Sequence, residues 1–222
     1  MICTSNYKQQ FNDNYRVVSI SGDRGRDAKY SGECYPELAP KMSFWRIWKN
    51  NIGKVPSKEN NLFYITEYYK QVLSKLDPQE VYDELDGSIL LCYEKPEDFC
   101  HRQIVAAWFE LLLDIEVPEV KVSNDRLEFV DKKYEVKQIL EQVMKENQDM
   151  KGFTSLRALY LNKKSKEATL KSIQEKDEEK KKELREKALE LKMQAMYAER
   201  FEKQNGECNR KKRVQRLQRR HD

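Results

Sequence analysis

Hydrophobic positions in this chain change their period several times, and each change predicts an element. Residues 16–20, Arg-Val-Val-Ser-Ile, form a β-branched run closed by Ser21-Gly22 and predict a first strand. Residues 23–40 are rich in Gly, Pro and charge, lack helical period and predict a long loop, a kind of segment that often carries function. Trp45 and Trp48 stand three apart in a short helix over 43–48. Behind Ser57, a good helix cap, Leu62, Ile65, Tyr69, Val72 and Leu76 keep three- and four-residue spacing and predict a helix with one apolar stripe. Asp77-Pro78-Gln79-Glu80 is a cap, a proline at the first helical position and a capping-box glutamate, opening a short helix to Leu85.

Ile89-Leu-Leu-Cys92 is continuously apolar, as in a strand covered on both faces. Residues 100–113 place Ile104, Val105, Trp108, Leu111 and Leu112 on one side, with Ala106, Phe109 and Leu113 filling most of the rest. That helix must be buried. Weaker strands are expected over 117–122 and 127–130, and a further helix over 134–146. The order predicts an α/β, three-layer (Rossmann-like) fold with a partly parallel sheet and flanking helices. From about 156 to 204 no Pro or Gly interrupts a Lys/Glu-rich run, which predicts one long solvated helix ending at Gly206. Its apolar heptad positions are too sparse for a coiled coil. The expected division is 1–160 for the α/β domain and 161–222 for the charged helix and basic tail.

Charge changes this picture only locally. Over 222 residues the net charge is +4, which is no general argument for nucleic acid, although residues 209–222 carry seven Arg and Lys, a footprint suited to phosphate or acidic surfaces. No run near 18 apolar residues predicts a membrane span, and the first residues lack the apolar core of a signal peptide. Five widely spaced cysteines without a CxxC argue against a disulfide framework and for a cytoplasmic protein with reduced thiols.

Candidate chemistry concentrates at residues 92–102. Cys92, Tyr93 and Glu94 stand at the carboxyl end of the predicted strand, where open α/β sheets bind ligands. Cys100, His101 and Arg102 form the first turn of the next helix, whose free N–H groups favour an anion or a thiolate. Cys100, His101 and Arg102, with Cys92 and Glu94, are the candidate catalytic groups. Cys92, in a continuous apolar strand, reads more readily as a small core residue than as a nucleophile, and His101 reads equally as a buried structural histidine. Arg24 and Arg26, after the first strand, would face the same crevice if the two strands are adjacent and parallel, making Arg24, Arg26 and Arg102 a candidate anion site. A cysteine-phosphatase loop is excluded by spacing: Cys92 plus six is Asp98. Cys92, Cys100 and His101 lack a clear fourth ligand, and His221 lies in the tail, so no metal site is expected. No motif names a cofactor.

The pattern Leu-Leu-Cys-Tyr-Glu, loop, Phe-Cys-His-Arg over 90–102 resembles the signature of the domain-of-unknown-function 488 family. The early strand, Leu38-Ala39-Pro40 and Tyr68-Tyr69 fit the same pattern, so the resemblance covers about 15 to 113. It implies a small cytosolic three-layer α/β domain with no established activity, whose recurring Cys, His and Arg fall on Cys92, Cys100, His101 and Arg102. Two functions follow as expectations: a domain binding or acting on a phosphate-bearing ligand, a nucleotide or nucleic acid, or a non-catalytic interaction protein using its charged helix and tail. Neither the reaction nor the oligomeric state is legible.

Overall fold

A computed structural model describes residues 1–124, 126–130, 135–147 and 156–218, with side chains described to residue 199. It divides into two compact units, Met1–Asn147 and Gln148–Asp222. The division expected at 160/161 therefore lies thirteen residues earlier.

In the first unit six strands form one sheet of order β3-β2-β4-β1-β5-β6. They are β1 (Cys3–Asn6), β2 (Arg16–Ser19), β3 (Glu33–Cys34), β4 (Ser88–Cys92), β5 (Glu119–Ser123) and β6 (Arg126–Val130). All pairings are parallel except β5 with β6. This is the expected α/β architecture with a mostly parallel sheet and flanking helices. The run at 16–20 is not the first strand, however. Cys3-Thr-Ser-Asn6 precedes it and sits in the middle of the sheet between β4 and β5. Its buried polar side chains are satisfied internally: Thr4 Oγ1 donates to Glu119 Oε2 (2.6 Å) and Ser5 Oγ to the Val120 carbonyl (2.7 Å).

Strand alternation sorts the chemistry onto one face. Cys3, Ile89, Leu91 and Val120 pack on the side covered by Tyr7, Phe11, Tyr15 and Tyr30, a thin layer built from connecting segments. Leu90 and Cys92 point to the opposite side, where helices lie. These are α1 (Met42–Asn51), α2 (Ser57–Gln71), α3 (Pro78–Leu85), α4 (His101–Leu113) and α5 (Glu135–Asn147). The α4 helix, with ten of its side chains buried, packs against β1 and β4 and against α2, α3 and α5. Asp77 caps α3 as expected, accepting from the Gln79 and Glu80 N–H groups. Ser57 does not cap α2. Pro56 holds that position and Ser57 is the first helical residue. The buried face of α2 is Asn60, Tyr64, Ile65, Tyr68 and Tyr69, while Leu62 is exposed and Leu76 lies beyond the helix end.

The predicted single long helix is two helices, α6 (Leu156–Gln174) and α7 (Glu178–Gln218). Asp177 separates them and caps α7 by accepting from the Glu179 and Lys180 N–H groups. The helices pack on one another, and Ser165 Oγ donates to the Ala188 carbonyl at 2.7 Å. Gly206 does not end α7, which continues to Gln218. Side chains of the basic stretch 209–222, including His221, and of Cys208 lie outside the described residues. None of the described helices is long and apolar enough to cross a membrane.

One buried ion pair ties the first unit together. Arg102 on α4 is fully buried; its Nε lies 3.1 Å from Glu119 Oε1 and its Nη2 2.9 Å from the same oxygen, while Thr4 donates to Oε2. Removing one partner strands a buried charge, which costs about 3–5 kcal/mol. Arg102→Met is expected to lower unfolding free energy by about that amount in urea titration, and the double variant Arg102→Met, Glu119→Leu to recover a large part of it. Equal loss in single and double variants would show that the pair is not the source.

Candidate functional site

The carboxyl ends of the adjacent parallel strands β2 and β4 open into a cavity of about 610 Å³. Its floor holds Cys92, Glu94, Cys100 and His101, and its walls include Trp45, Trp48, Tyr64 and Phe99. Trp48, Tyr64 and Phe99 contact one another with ring centroids 5.2–5.8 Å apart.

Each floor residue has a backbone reason for its place. Cys92 is the last residue of β4 and Glu94 follows two residues later. Cys100 is the N-cap of α4, and Gln103 reaches back to its N–H (3.4 Å) while also donating to the Pro96 and Asp98 carbonyls (both 3.0 Å). Those bonds fold the loop between strand and helix, returning Cys100 to the strand end. His101 Nε2–H donates to the Ile20 carbonyl at the end of β2 (2.9 Å). A carbonyl only accepts, so this contact fixes the tautomer and leaves Nδ1 for the thiols. Nδ1 lies 3.5 Å from Cys92 Sγ and 3.9 Å from Cys100 Sγ. Glu94 Oε2 lies 2.9 Å from Cys100 Sγ and 3.4 Å from Cys92 Sγ, so one carboxyl oxygen touches both thiols.

These contacts divide the protons unequally. Burial opposes ionisation of Cys100, but hydrogen bonds from Cys92 and His101 and the charges of His101 and Arg102 overcome it, holding this thiol well below the usual range. Burial and the neighbouring Cys100 push the Cys92 thiol well up. Burial, and then the negative charge of Cys100, raise Glu94 to about 7. Burial lowers the His101 pKa, but the bond to Cys100 and its charge outweigh that and raise it. These shifts favour a thiolate at Cys100 beside a protonated His101, keep Cys92 toward its thiol form, and place Glu94 near its midpoint at neutral pH.

The rim is organised by Asp23, which sequence reasoning passed over. Its carboxylate accepts from Ser21 Oγ (2.9 Å), the Gly25 N–H (3.0 Å), the Asp27 N–H (3.1 Å) and the Tyr93 hydroxyl. Burial opposes its charge, but those donors, Tyr93 foremost, hold it at about 2. Gly25 has φ +79°, and a Cβ there would meet Tyr30 Cβ at 2.8 Å, so this turn requires glycine.

The structure thus brings together Cys92, Glu94, Cys100 and His101, but not the expected anion-binding arginines. Arg24 and Arg26 are exposed and neither lines the cavity; Arg26 Nε donates instead to the Asp23 carbonyl (3.2 Å). Arg102 is engaged with Glu119 behind the floor. The charged residues on the lining are Asp23, Asp27, Glu94, Lys49 and His101, a set that does not favour phosphate. Trp45 and Trp48 carried a signal in their spacing; Tyr64 and Phe99 carried none apart from the fold. Cys92 Sγ, Cys100 Sγ and His101 Nδ1 all lie within 4.8 Å of one another, close enough to ligate one metal ion, a proximity of three groups that the sequence did not show.

No family model, curated protein or solved structure matches this chain.

Glu94 gives a pH test. Its folded pKa of about 7 lies above the ordinary 4.5, so between those values the folded state binds more protons than the unfolded state. Glu94's own contribution to stability is therefore expected to fall as pH rises from about 4.5 to about 7, so that the native protein loses stability across this window relative to Glu94→Gln. Thermal melts across the window check it; an unchanged slope in the variant would assign the fall elsewhere.

Proposed function

We propose that this protein is an enzyme that binds a small, partly apolar molecule in the cavity and acts on it through the Cys100 thiolate. The observation that carries this reading is the convergence of Cys100, His101 and Glu94 at the floor of an aromatic-walled cavity, with His101 oriented by the Ile20 carbonyl. A nucleophilic thiol needs a partner that holds its proton, and that partner needs a third group to orient it. Cys100, His101 Nδ1 and the Ile20 carbonyl supply these three roles. The N-terminus of α4 adds its positive field to the thiolate. Glu94 supports the same chemistry as a proton donor to a leaving group, since its pKa of about 7 lets it give and recover a proton near neutrality. The aromatic walls offer ring faces to the bound molecule.

The reading agrees with the resemblance to the domain-of-unknown-function 488 family, which brings no activity of its own. A phosphate-bearing ligand, nucleotide or nucleic acid, is supported less well, because the arginines expected to hold it do not line the cavity. The interaction-protein alternative rests on the charge of the second unit's sequence.

Alkylation tests the proposal directly. Cys100 is expected to react with iodoacetamide about ten-fold or more faster than Cys34 at pH 7, with a profile displaced below the ordinary thiol value of about 8.5. His101→Ala should move that profile back toward alkaline pH, and Cys100→Ser should abolish the fast phase. A Cys100 that modifies no faster than Cys34 would overturn the thiolate reading.

A further inference from the structure

The nucleophilic role of Cys100 leaves Cys92 unexplained. Cys92 is buried, yet its sulfur is not enclosed only by hydrocarbon. It stands 3.5 Å from His101 Nδ1 and 3.4 Å from Glu94 Oε2, the same two atoms that contact Cys100, and within 4.8 Å of the groups that face it in the cluster. A cysteine serving only as core filler needs neither partner. The two sulfurs also differ in placement: Cys100 stands at the N-cap of α4, where the helix field favours an attacking thiolate, whereas Cys92 ends a buried strand behind it.

We infer that Cys92 and Cys100 form a dithiol pair that reduces small-molecule disulfides, Cys100 attacking and Cys92 resolving. This rests on the thiolate reading of Cys100 and adds the substrate class and the second thiol. In the first step the Cys100 thiolate attacks one sulfur of a disulfide R–S–S–R′. The S–S bond breaks, Cys100 becomes a mixed disulfide with R–S, and R′–S⁻ leaves with the proton from His101 Nδ1. The imidazole is then neutral, and its Nδ1 accepts the proton of Cys92 at 3.5 Å. The resulting Cys92 thiolate attacks Cys100 Sγ, forms the Cys92–Cys100 disulfide and expels R–S⁻, which takes the proton back from His101. Two thiols of the protein have been oxidised, one substrate disulfide has been reduced to two thiols, and the two protons are accounted for. A low-molecular-weight thiol reductant reverses the protein disulfide and completes the cycle.

The cavity fits this substrate class. Trp45, Trp48, Tyr64 and Phe99 give apolar walls to the organic part, while the sulfur to be attacked reaches a floor that carries both thiols. The sulfurs stand on a strand end and on a helix N-cap joined by a short loop, so closing the bond asks that loop to move rather than the sheet.

The test uses the full chain carrying Cys34→Ser and Cys208→Ser, with EDTA present and dithiodipyridine, an aromatic disulfide, as probe. Two thiopyridone equivalents are expected in a fast phase, with no adduct on the protein and a Cys92–Cys100 link in the non-reducing peptide map. Cys92→Ser should release one equivalent and retain the thiopyridyl adduct on Cys100; Cys100→Ser should lose the fast phase. If Cys100 reacts fast but keeps its adduct while Cys92 is intact, the dithiol inference fails and the thiolate reading stands. If Cys100 shows no fast phase at all, both fail.

Discussion

The buried Arg102–Glu119 pair is the constraint on which the site depends. Arg102 belongs to the first turn of α4, and Glu119 opens β5 beside β1, where Thr4 completes its hydrogen bonds. Two buried charges can be held this way only where the geometry satisfies both, because each loses its hydration on folding. The pair therefore fixes the rotation and height of α4 against the sheet. His101 and Cys100 lie one and two residues earlier, so their position over the end of β4 follows from an interaction on the far side of the same helical turn. The guanidinium also leaves Nη1 buried without a hydrogen-bond partner among the described residues, and its charge contributes to holding Cys100 ionised. One side chain thus serves both placement and electrostatics.

The floor is a closed proton system. Cys92, Cys100, Glu94 and His101 are too close for their charges to be independent, and each proton that moves changes the others. Ionising Cys100 is favoured because His101 stays protonated beside it; Glu94 is then held toward its neutral form because a second anion at 2.9 Å is unfavourable. His101 cannot turn away from the thiols, since its other nitrogen is bonded to the Ile20 carbonyl. A backbone group at the end of β2 therefore sets which atom of the imidazole meets the sulfurs. This is how a sheet edge, with no reactive side chain of its own, takes part in the chemistry.

Much of this was legible in the sequence where one physical signal dominated. The continuous apolar run of β4, the apolar α4 and the Asp77 cap each follow from a single local rule, and the strand–loop–helix location of Cys92, Glu94, Cys100 and His101 follows from them. What was not legible required partners distant in sequence. Strand β1 is polar in composition, and its burial is satisfied by Glu119 and the Val120 carbonyl more than a hundred residues away. The second unit looked like a solvated helix because its packed seam uses small residues: Ala158, Ser165 and Ser172 repeat every seven positions, as do Leu161 and Ala168, and on the other helix Ala188 and Ala195. A heptad written in Ala and Ser lets two helices approach closely without the Leu that a hydrophobic scan seeks. Asp177 was a visible cap signal inside the charged run, obscured by the carboxylates around it.

The expectation of a phosphate-bearing ligand turns on where the arginines go. A helix N-terminus beside a strand end favours an anion, and several arginines nearby in sequence suggested that the anion comes from outside. In the folded chain two of those cations already have work, Arg102 on Glu119 and Arg26 on the Asp23 carbonyl, while Arg24 is exposed and does not line the cavity. The positive field of α4 is instead met from within, by the sulfur of its own N-cap residue. On the proposed reading the site supplies its own anion at that position, and the carboxylates of Asp23 and Asp27 on the lining disfavour an external phosphate. On that reading, the same field that would have bound a ligand's charge serves the nucleophilicity of Cys100, and the aromatic walls and the thiols, rather than the arginines, line what the cavity would accept.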